Sequence, residues 1–176
     1  MENADCILSP DGQLPACDER IVALLRYWRS IRPAGAAFPG RQHFDPVAIP
    51  RLLPWLWLMD VQRAPLRFRF RVMGTEQTAF IGDDPTGRWV DERFPKLLDK
   101  LTYKHFVACA ERGAMTYQCP LPVAHVDKRY MSSERICLPM ARNGRDIDMV
   151  LAMSIFHPTI EGNGAALPQP AAAATL

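Results

Sequence analysis

Residues 67–72 alternate strictly between arginine and an apolar side chain, and this pattern constrains the fold more than any other segment. The apolar positions are Phe68, Phe70 and Val72, and an arginine precedes each of them. Successive side chains of a β-strand point to opposite faces, so a period of two predicts a strand with one buried and one solvated face. The chain must therefore contain a sheet with other elements packed against it.

The remaining elements are predicted from apolar periodicity and from glycine and proline positions. Asp18 is the expected N-cap of the first helix, Thr75 that of the second, and Asn143-Gly144 is the expected turn between the last two strands. In chain order the predicted elements are helix 18–32, strands 55–61 and 67–72, helices 75–81 and 95–113, and strands 114–123, 129–140 and 147–156.

This order predicts an α+β protein. Two strands, a helical connection and three further strands make a five-stranded antiparallel sheet with helices on one face and an extra N-terminal helix. The length of 176 residues suits one domain. We expect that domain over 18–157, a flexible N-terminus over 1–17, and a disordered tail rich in proline and alanine over 158–176.

Composition argues against several classes of protein. The formal net charge is only +2, so no nucleic-acid surface is expected. The longest apolar stretch, 52–59, is interrupted by Pro54 and is too short to cross a membrane. The five cysteines are odd in number and form no Cys-x-x-Cys pair, a usage typical of reduced thiols in a cytoplasmic protein.

Five short motifs lie in order between residues 24 and 88. They are Leu24-Leu25-x-Tyr27-Trp28, Phe44-Asp45-Pro46, Ile49-Pro50-x-Leu52-Leu53-Pro54, Phe68-x-Phe70-Arg71-Val72-x-Gly74-Thr75 and Gly82-x-Asp84-x-Thr86-Gly87-Arg88. Together they resemble an alphaproteobacterial family of compact PAS-domain proteins, over roughly residues 20–156. The resemblance implies a PAS fold, a cytoplasmic sensory or scaffolding role, and a cavity between sheet and helices, but no particular ligand.

Apolar residues on the predicted sheet and helices are candidates for lining that cavity. A plain hydrophobic core is the alternative explanation for the same residues. The candidates are Trp57, Phe68, Phe70, Phe80, Leu101, His105 and Met153.

The cofactor stays unknown from the sequence. Flavin photosensors of the PAS class carry a reactive cysteine on the short middle helix, and residues 75–80 contain none, which disfavours flavin. Haem-binding members place a histidine on the long helix, as His105 is placed here. That histidine is open to three interpretations: a haem ligand, a contact to another ligand, or a core histidine bonded to a backbone carbonyl. We predict that it faces inward and binds neither metal nor haem.

The function predicted from these features is binding rather than catalysis. The sequence has no Ser-His-Asp set, no His-Glu-x-x-His motif and no Gly-rich phosphate loop. A sensory module that binds a small ligand or a protein, and signals by contact with a signalling partner, fits best. The alternatives are a scaffold without a ligand and, less favoured, a small isomerase-like enzyme built in a cone-shaped α+β cavity.

Two surfaces are candidates for protein contact. The helix 18–32 has an apolar stripe that predicts a homodimer interface; the alternative is that this helix packs on its own domain. The stripe consists of Ile21, Leu24, Leu25 and Trp28. The segment Thr86-Gly87-Arg88 and the arginines of 67–71 suit an anionic partner, although turn formation and a solvated strand face explain them more simply.

Overall fold

The computed structural model describes residues 4–97, 101–122 and 131–158. These residues contain one antiparallel sheet, and other elements cover both of its faces. The strands are β1 (Ala4–Leu8), β2 (Leu56–Arg63), β3 (Leu66–Met73), β4 (Met115–Pro122), β5 (Met131–Met140) and β6 (Met149–Pro158). The helices are α1 (Glu19–Ser30), α2 (Thr75–Ile81), α3 (Val90–Arg93) and α4 (Leu101–Arg112). Short 3-10 helices span Arg41–His43, Pro46–Ala48, Leu53–Trp55 and Pro95–Leu97.

The sheet confirms the predicted α+β class but has six strands in the order β1-β4-β5-β6-β2-β3, not five. The additional strand is β1, which pairs with β4 from Ala4↔Cys119 to Leu8↔Met115. It lies in the segment that was expected to be flexible. Its five residues alternate between partly buried and exposed positions. Because the strand is short and contains no fully buried residue, the sequence alone gives little indication of it.

The extra N-terminal helix α1 covers one face of the sheet, and α3 and α4 cover the other. Every residue from Met149 to Ile155 in β6 is buried, as expected for a strand covered on both sides. Odd-numbered residues such as Leu151 belong to a core beneath α1, and even-numbered ones such as Val150 to a second core beneath α3 and α4. We call these the α1-side core and the α4-side core.

Helix α1 packs on its own domain. Asp18 caps it as predicted, its side chain accepting a hydrogen bond from the backbone N–H of Arg20 at 2.8 Å. The indole Nε1 of Trp28 donates to the carbonyl of Pro139 at 3.0 Å. All four residues of the predicted dimer stripe are buried in the α1-side core, at most 6% exposed: Ile21, Leu24, Leu25 and Trp28. The assignment of these side chains to a partner surface is therefore wrong.

Strand β3 confirms the alternation with one exception. Phe68 and Phe70 are buried, but Val72 is 46% exposed. The register shifts in the middle of the hairpin, where Met59 pairs with Phe70 and Leu58 with Val72. This bulge inserts one residue, so Val72 moves to the opposite face.

The middle of the chain departs from the predicted helices. The expected long helix 95–113 is a 3-10 turn over Pro95–Leu97 followed by α4 from Leu101, and α3 was not predicted. Thr75 is the first residue of α2, with Gly74 at the N-cap. The expected disorder of the C-terminal tail concerns residues 159–176, which lie outside the described residues.

Candidate functional site

Aromatic side chains fill much of the space between the sheet and α4. Trp57, Phe68 and Phe70, three of the predicted cavity residues, are buried together with Phe106 of α4. The ring of Trp57 lies 5.6 Å from that of Phe106 and 6.2 Å from that of Phe70, and Phe68 lies 5.8 Å from Phe106. These spacings are those of interacting aromatic pairs. The sequence thus identified an aromatic cluster on the α4 face of the sheet.

Three other predicted cavity residues lie elsewhere. Met153 points into the α1-side core, because it has the odd-numbered position in β6. Leu101, the first residue of α4, is 47% exposed. Phe80 of α2 stacks on Phe156 at 3.6 Å with an interplanar angle of 5°. None of these three side chains belongs to the α4-side core, so the sequence was wrong about their place in the site.

Beside the aromatic cluster, four polar residues form a continuous row across four adjacent strands. Asp5 of β1 pairs with Gln118 of β4, Gln118 with Arg135 of β5, and Arg135 with Ser154 of β6. Neighbouring pairs in a sheet point to the same face, and here that face is the one beneath α4. We call these four residues the polar row. The register of the four strands brings these residues together, and no single segment of the sequence contains a pattern that predicts the polar row.

Helix α4 places His105 and Thr102 over the polar row. The His105 Nε2 lies 2.6 Å from an Asp5 carboxylate oxygen. The guanidinium of Arg135 donates to the hydroxyl of Ser154 at 3.1 Å and to that of Thr102 at 3.4 Å, and it lies 5.6 Å from the Trp57 ring. The polar row is therefore bound from above by a helix and bordered by the aromatic cluster.

The histidine faces inward, as predicted, and is 2% exposed. Burial lowers the pKa of His105 below its ordinary 6.5, although the nearby Asp5 carboxylate acts in the opposite direction. When the ring is neutral, its proton lies on Nε2 and is donated to Asp5, and Nδ1 is then an acceptor. Any iron bound at Nε2 would have to displace Asp5; that His105 binds no haem stays a prediction.

Two buried acceptors of the site have no hydrogen-bond partner among the described residues: His105 Nδ1 and Gln118 Oε1. Both residues are 2% exposed. Buried polar atoms are rarely left without a partner, since each costs about 1–3 kcal/mol. Beside them, burial lowers the pKa of the Arg135 guanidinium, whose described hydrogen-bond partners are neutral hydroxyls.

The buried histidine leads to a prediction about acid. A folded state that holds His105 with a lowered pKa binds a proton less readily than the unfolded state, so stability falls as the pH drops below about 6.5. One such group contributes a slope of at most about 1.4 kcal/mol per pH unit. Denaturant unfolding between pH 7 and about 5.5 should show a slope that His105→Gln reduces.

The carboxylates act in a separate range. Hydrogen bonds lower the pKa of Asp18, Asp84 and Asp91 below the ordinary 3.8, through Arg20, Thr86 and Arg67 respectively. Their contribution to stability is present above that value and is lost only as the pH falls further. A slope between pH 7 and about 5.5 that is unchanged in His105→Gln would contradict the assignment to the histidine.

A second buried polar centre lies on the opposite face, and sequence reasoning missed it. Glu134 of β5 is 1% exposed in the α1-side layer. Its Oε1 accepts from the Tyr117 hydroxyl and from the Asp18 backbone N–H, each at 2.8 Å, and Oε2 lies 3.2 Å from His157 Nε2. Burial and this carboxylate raise the pKa of Tyr117, and they raise that of Cys17 to about 11. This centre joins the start of α1 to the sheet.

The Thr86-Gly87-Arg88 segment forms a turn. Asp84 accepts from the Thr86 backbone N–H at 2.9 Å and from its hydroxyl at 2.6 Å, and Gly87 has φ +84°. Arg88 reaches Asp83 at 3.4 Å. These contacts favour turn chemistry over an anion site.

The arginines of β3 are also bound within the chain. Arg67 forms ion pairs with Asp91 at 2.8 Å and with Glu92 at 2.6 Å. Arg69 donates to the carbonyl of Gly87, and Arg71 pairs with Asp60 at 3.2 Å. The simpler explanation, a solvated strand face, accounts for all three.

The described residues hold neither a cluster of metal ligands nor a helix suited to a membrane. No three His, Cys, Asp or Glu side chains of residues 4–97, 101–122 and 131–158 are grouped so that they could hold a metal ion. No helix in the same residues has the length and apolar character needed to span a bilayer.

Comparison with known proteins agrees with the architecture. A family model described as PAS domain matches residues 18–153, well over half of the 176 residues. The match includes α1, most of both buried cores and two of the four residues of the polar row, Gln118 and Arg135. Comparisons with curated proteins and with solved structures gave no match. On the strength of the family match, the chain belongs to the PAS domain family.

Proposed function

We propose that this PAS domain is a sensory module that binds a small anionic ligand at the polar row and signals through contact with another protein. PAS domains are typically sensory or signalling modules. The observation that carries the ligand proposal is the pair of buried acceptors that have no hydrogen-bond partner among the described residues, His105 Nδ1 and Gln118 Oε1, next to the Arg135 guanidinium. Groups of this kind are costly in a fold unless something binds them.

The donors and acceptors define the class of ligand. Arg135 has donors to offer to a carboxylate or phosphate oxygen. His105 Nδ1 and Gln118 Oε1 can only accept, so the ligand must also carry a hydroxyl or amino donor. The Trp57 face can contact the apolar part of the ligand. A small hydroxycarboxylate or amino acid meets all three requirements.

Thermal unfolding tests this proposal. The probes are small hydroxycarboxylates and amino acids, each paired with the analogue that lacks the hydroxyl or amino group. A probe present at about 100 times its Kd adds about 2.7 kcal/mol, and it should raise the Tm of the full chain by about 5–10 °C. The analogue should give a smaller shift, because one buried acceptor stays unpaired.

Matched variants locate the effect. Arg135→Met should abolish the shift in Tm. Arg135→Lys should retain part of the shift, and it takes the place of the methionine variant if that variant does not fold. Arg71→Met is the control, since Arg71 lies on the solvated face of β3 and pairs with Asp60. The proposal fails if no probe raises the Tm, or if Arg135→Lys and Arg71→Met respond alike.

A second candidate function is a scaffold that signals without a ligand. The aromatic cluster of Trp57, Phe68, Phe70 and Phe106 favours it, because these rings occupy the space between the sheet and α4 in which a ligand cavity was expected. Native mass spectrometry of freshly purified protein separates the two functions. A bound mass lost in Arg135→Met supports sensing, whereas a chain of its own mass alone supports the scaffold.

The protein partner belongs to the same proposal. We infer a cytoplasmic module that acts by binding rather than by catalysis. The five cysteines all lie in the described residues and form no disulfide there, which supports a reducing compartment. Self-association also stays a prediction, and it must use surfaces other than the four buried side chains of α1. Light scattering at tens of micromolar protein measures it.

A further inference from the structure

The N-terminal strand is the least buried strand of the sheet. Among the described strands β1 pairs with β4 alone, and each of its five residues is exposed or only partly buried. Beneath it, the five paired residues of β4, from Met115 to Cys119, are all buried. The backbone of β4 thus has its outer edge covered by a short strand with few other contacts. Edges of this kind are sites where another strand can pair.

The surface that holds β1 has a definite specificity. Ala4, Cys6 and Leu8 pack against the α1-side core, and between them Asp5 points to the opposite face. There the Asp5 carboxylate lies 2.6 Å from His105 Nε2. The edge of β4 therefore selects an extended segment with an acidic residue on one face and small apolar residues at the flanking positions.

The segment after β1 is held on α1 rather than on the sheet. Arg29 of α1 donates to the carbonyls of Pro10 and Gly12, and Arg32 pairs with Asp11 at 2.9 Å. The contacts of residues 10–12 therefore do not require β1 to lie on β4. β1 can leave the sheet while α1 keeps its place over the core.

We propose that the outer edge of β4 is a docking site for an extended segment of a partner protein, and that β1 occupies it in the absence of that partner. The partner segment carries an acidic residue flanked by small apolar residues, which is the chemistry of β1 itself. Main-chain hydrogen bonds would supply affinity, and His105 with the apolar side chains below would supply specificity. The inference rests on the proposed signalling by protein contact. Because Asp5 and His105 also belong to the proposed ligand site, it is tested without added ligand.

A labelled peptide tests the exchange in the full chain without added ligand. The probe has the sequence of residues 1–10 with Cys6→Ser, to prevent disulfide formation, and its binding is followed by fluorescence polarisation. In wild-type protein the attached β1 competes with it. In Asp5→Lys protein the attached β1 should pair less tightly with β4, because the lysine would face His105 and Arg135. The peptide should therefore bind to this variant at least about tenfold more tightly than to wild type.

Three controls make the result specific. Asp11→Lys changes the charge of the same segment equally, but at an exposed ion pair with Arg32, and should bind the peptide like wild type. Asp5→Asn, which keeps an acceptor for His105, should be intermediate and serves if Asp5→Lys does not fold. A peptide with lysine in place of Asp5 should not bind. Equal peptide affinity in all proteins, or exchange of β1 between copies without peptide binding, would overturn the inference.

Discussion

Replacing Trp28 by alanine is expected to lower the free energy of unfolding by about 3–5 kcal/mol and the Tm by about 6–20 °C. Trp28 is fully buried in the α1-side core. Its removal leaves a large cavity between α1 and the sheet, and it also removes the donor that binds the Pro139 carbonyl at 3.0 Å. Denaturant unfolding followed by circular dichroism measures the loss.

The same experiment distinguishes the two roles that the sequence left open for α1. Val22→Ala on the same helix is the control, since Val22 is 40% exposed and its truncation should change stability by about 0.5 kcal/mol or less. If Trp28 stabilised a dimer, the stability lost in Trp28→Ala would depend on protein concentration. A concentration-dependent effect, or one no larger than that of Val22→Ala, would contradict the packing of α1 on its own sheet.

Five of the six described strands were predictable because their signals are local. The alternation in 67–72, the apolar run that became β2, and the Asn143-Gly144 turn each lie within a few residues, and Gly144 has the expected positive φ of +76°. What was not predicted depends on contacts between distant segments. The uninterrupted burial of β6 shows that both faces of the sheet are covered, yet the sequence alone does not say which helix covers which face.

The candidate site divides in the same way. Trp57, Phe68 and Phe70 were found because large aromatic residues in strands are buried almost wherever they occur. The polar row was missed because its four residues are aligned by the register of four strands. His105 was identified from its position in the apolar arc of a helix, but its partner Asp5 lies in a segment that was expected to be flexible.

Glu134 carries the second large expected effect. Glu134→Ala should lower the free energy of unfolding by about 2–5 kcal/mol, since it leaves the Tyr117 hydroxyl and the Asp18 backbone N–H without an acceptor. Each unsatisfied buried donor costs about 1–3 kcal/mol. The loss is structural, so binding of any ligand at the polar row, on the other face of the sheet, should survive wherever the variant folds. Chemical unfolding at neutral pH measures the change.

A double-mutant cycle separates the hydrogen bond from the burial of the carboxylate. Glu134→Gln keeps an acceptor oxygen at the same position and should cost less than Glu134→Ala, while Tyr117→Phe removes one donor and should cost about 1 kcal/mol. The protein that combines Glu134→Ala with Tyr117→Phe has no Tyr117 hydroxyl to leave unpaired. Its loss of unfolding free energy should therefore be smaller than the sum of the losses in the two single variants. Strict additivity would show that the contact between Tyr117 and Glu134 contributes nothing to stability. A combined loss smaller than the sum of the two single losses would show that the Glu134 carboxylate and the Tyr117 hydroxyl are energetically coupled in the α1-side core.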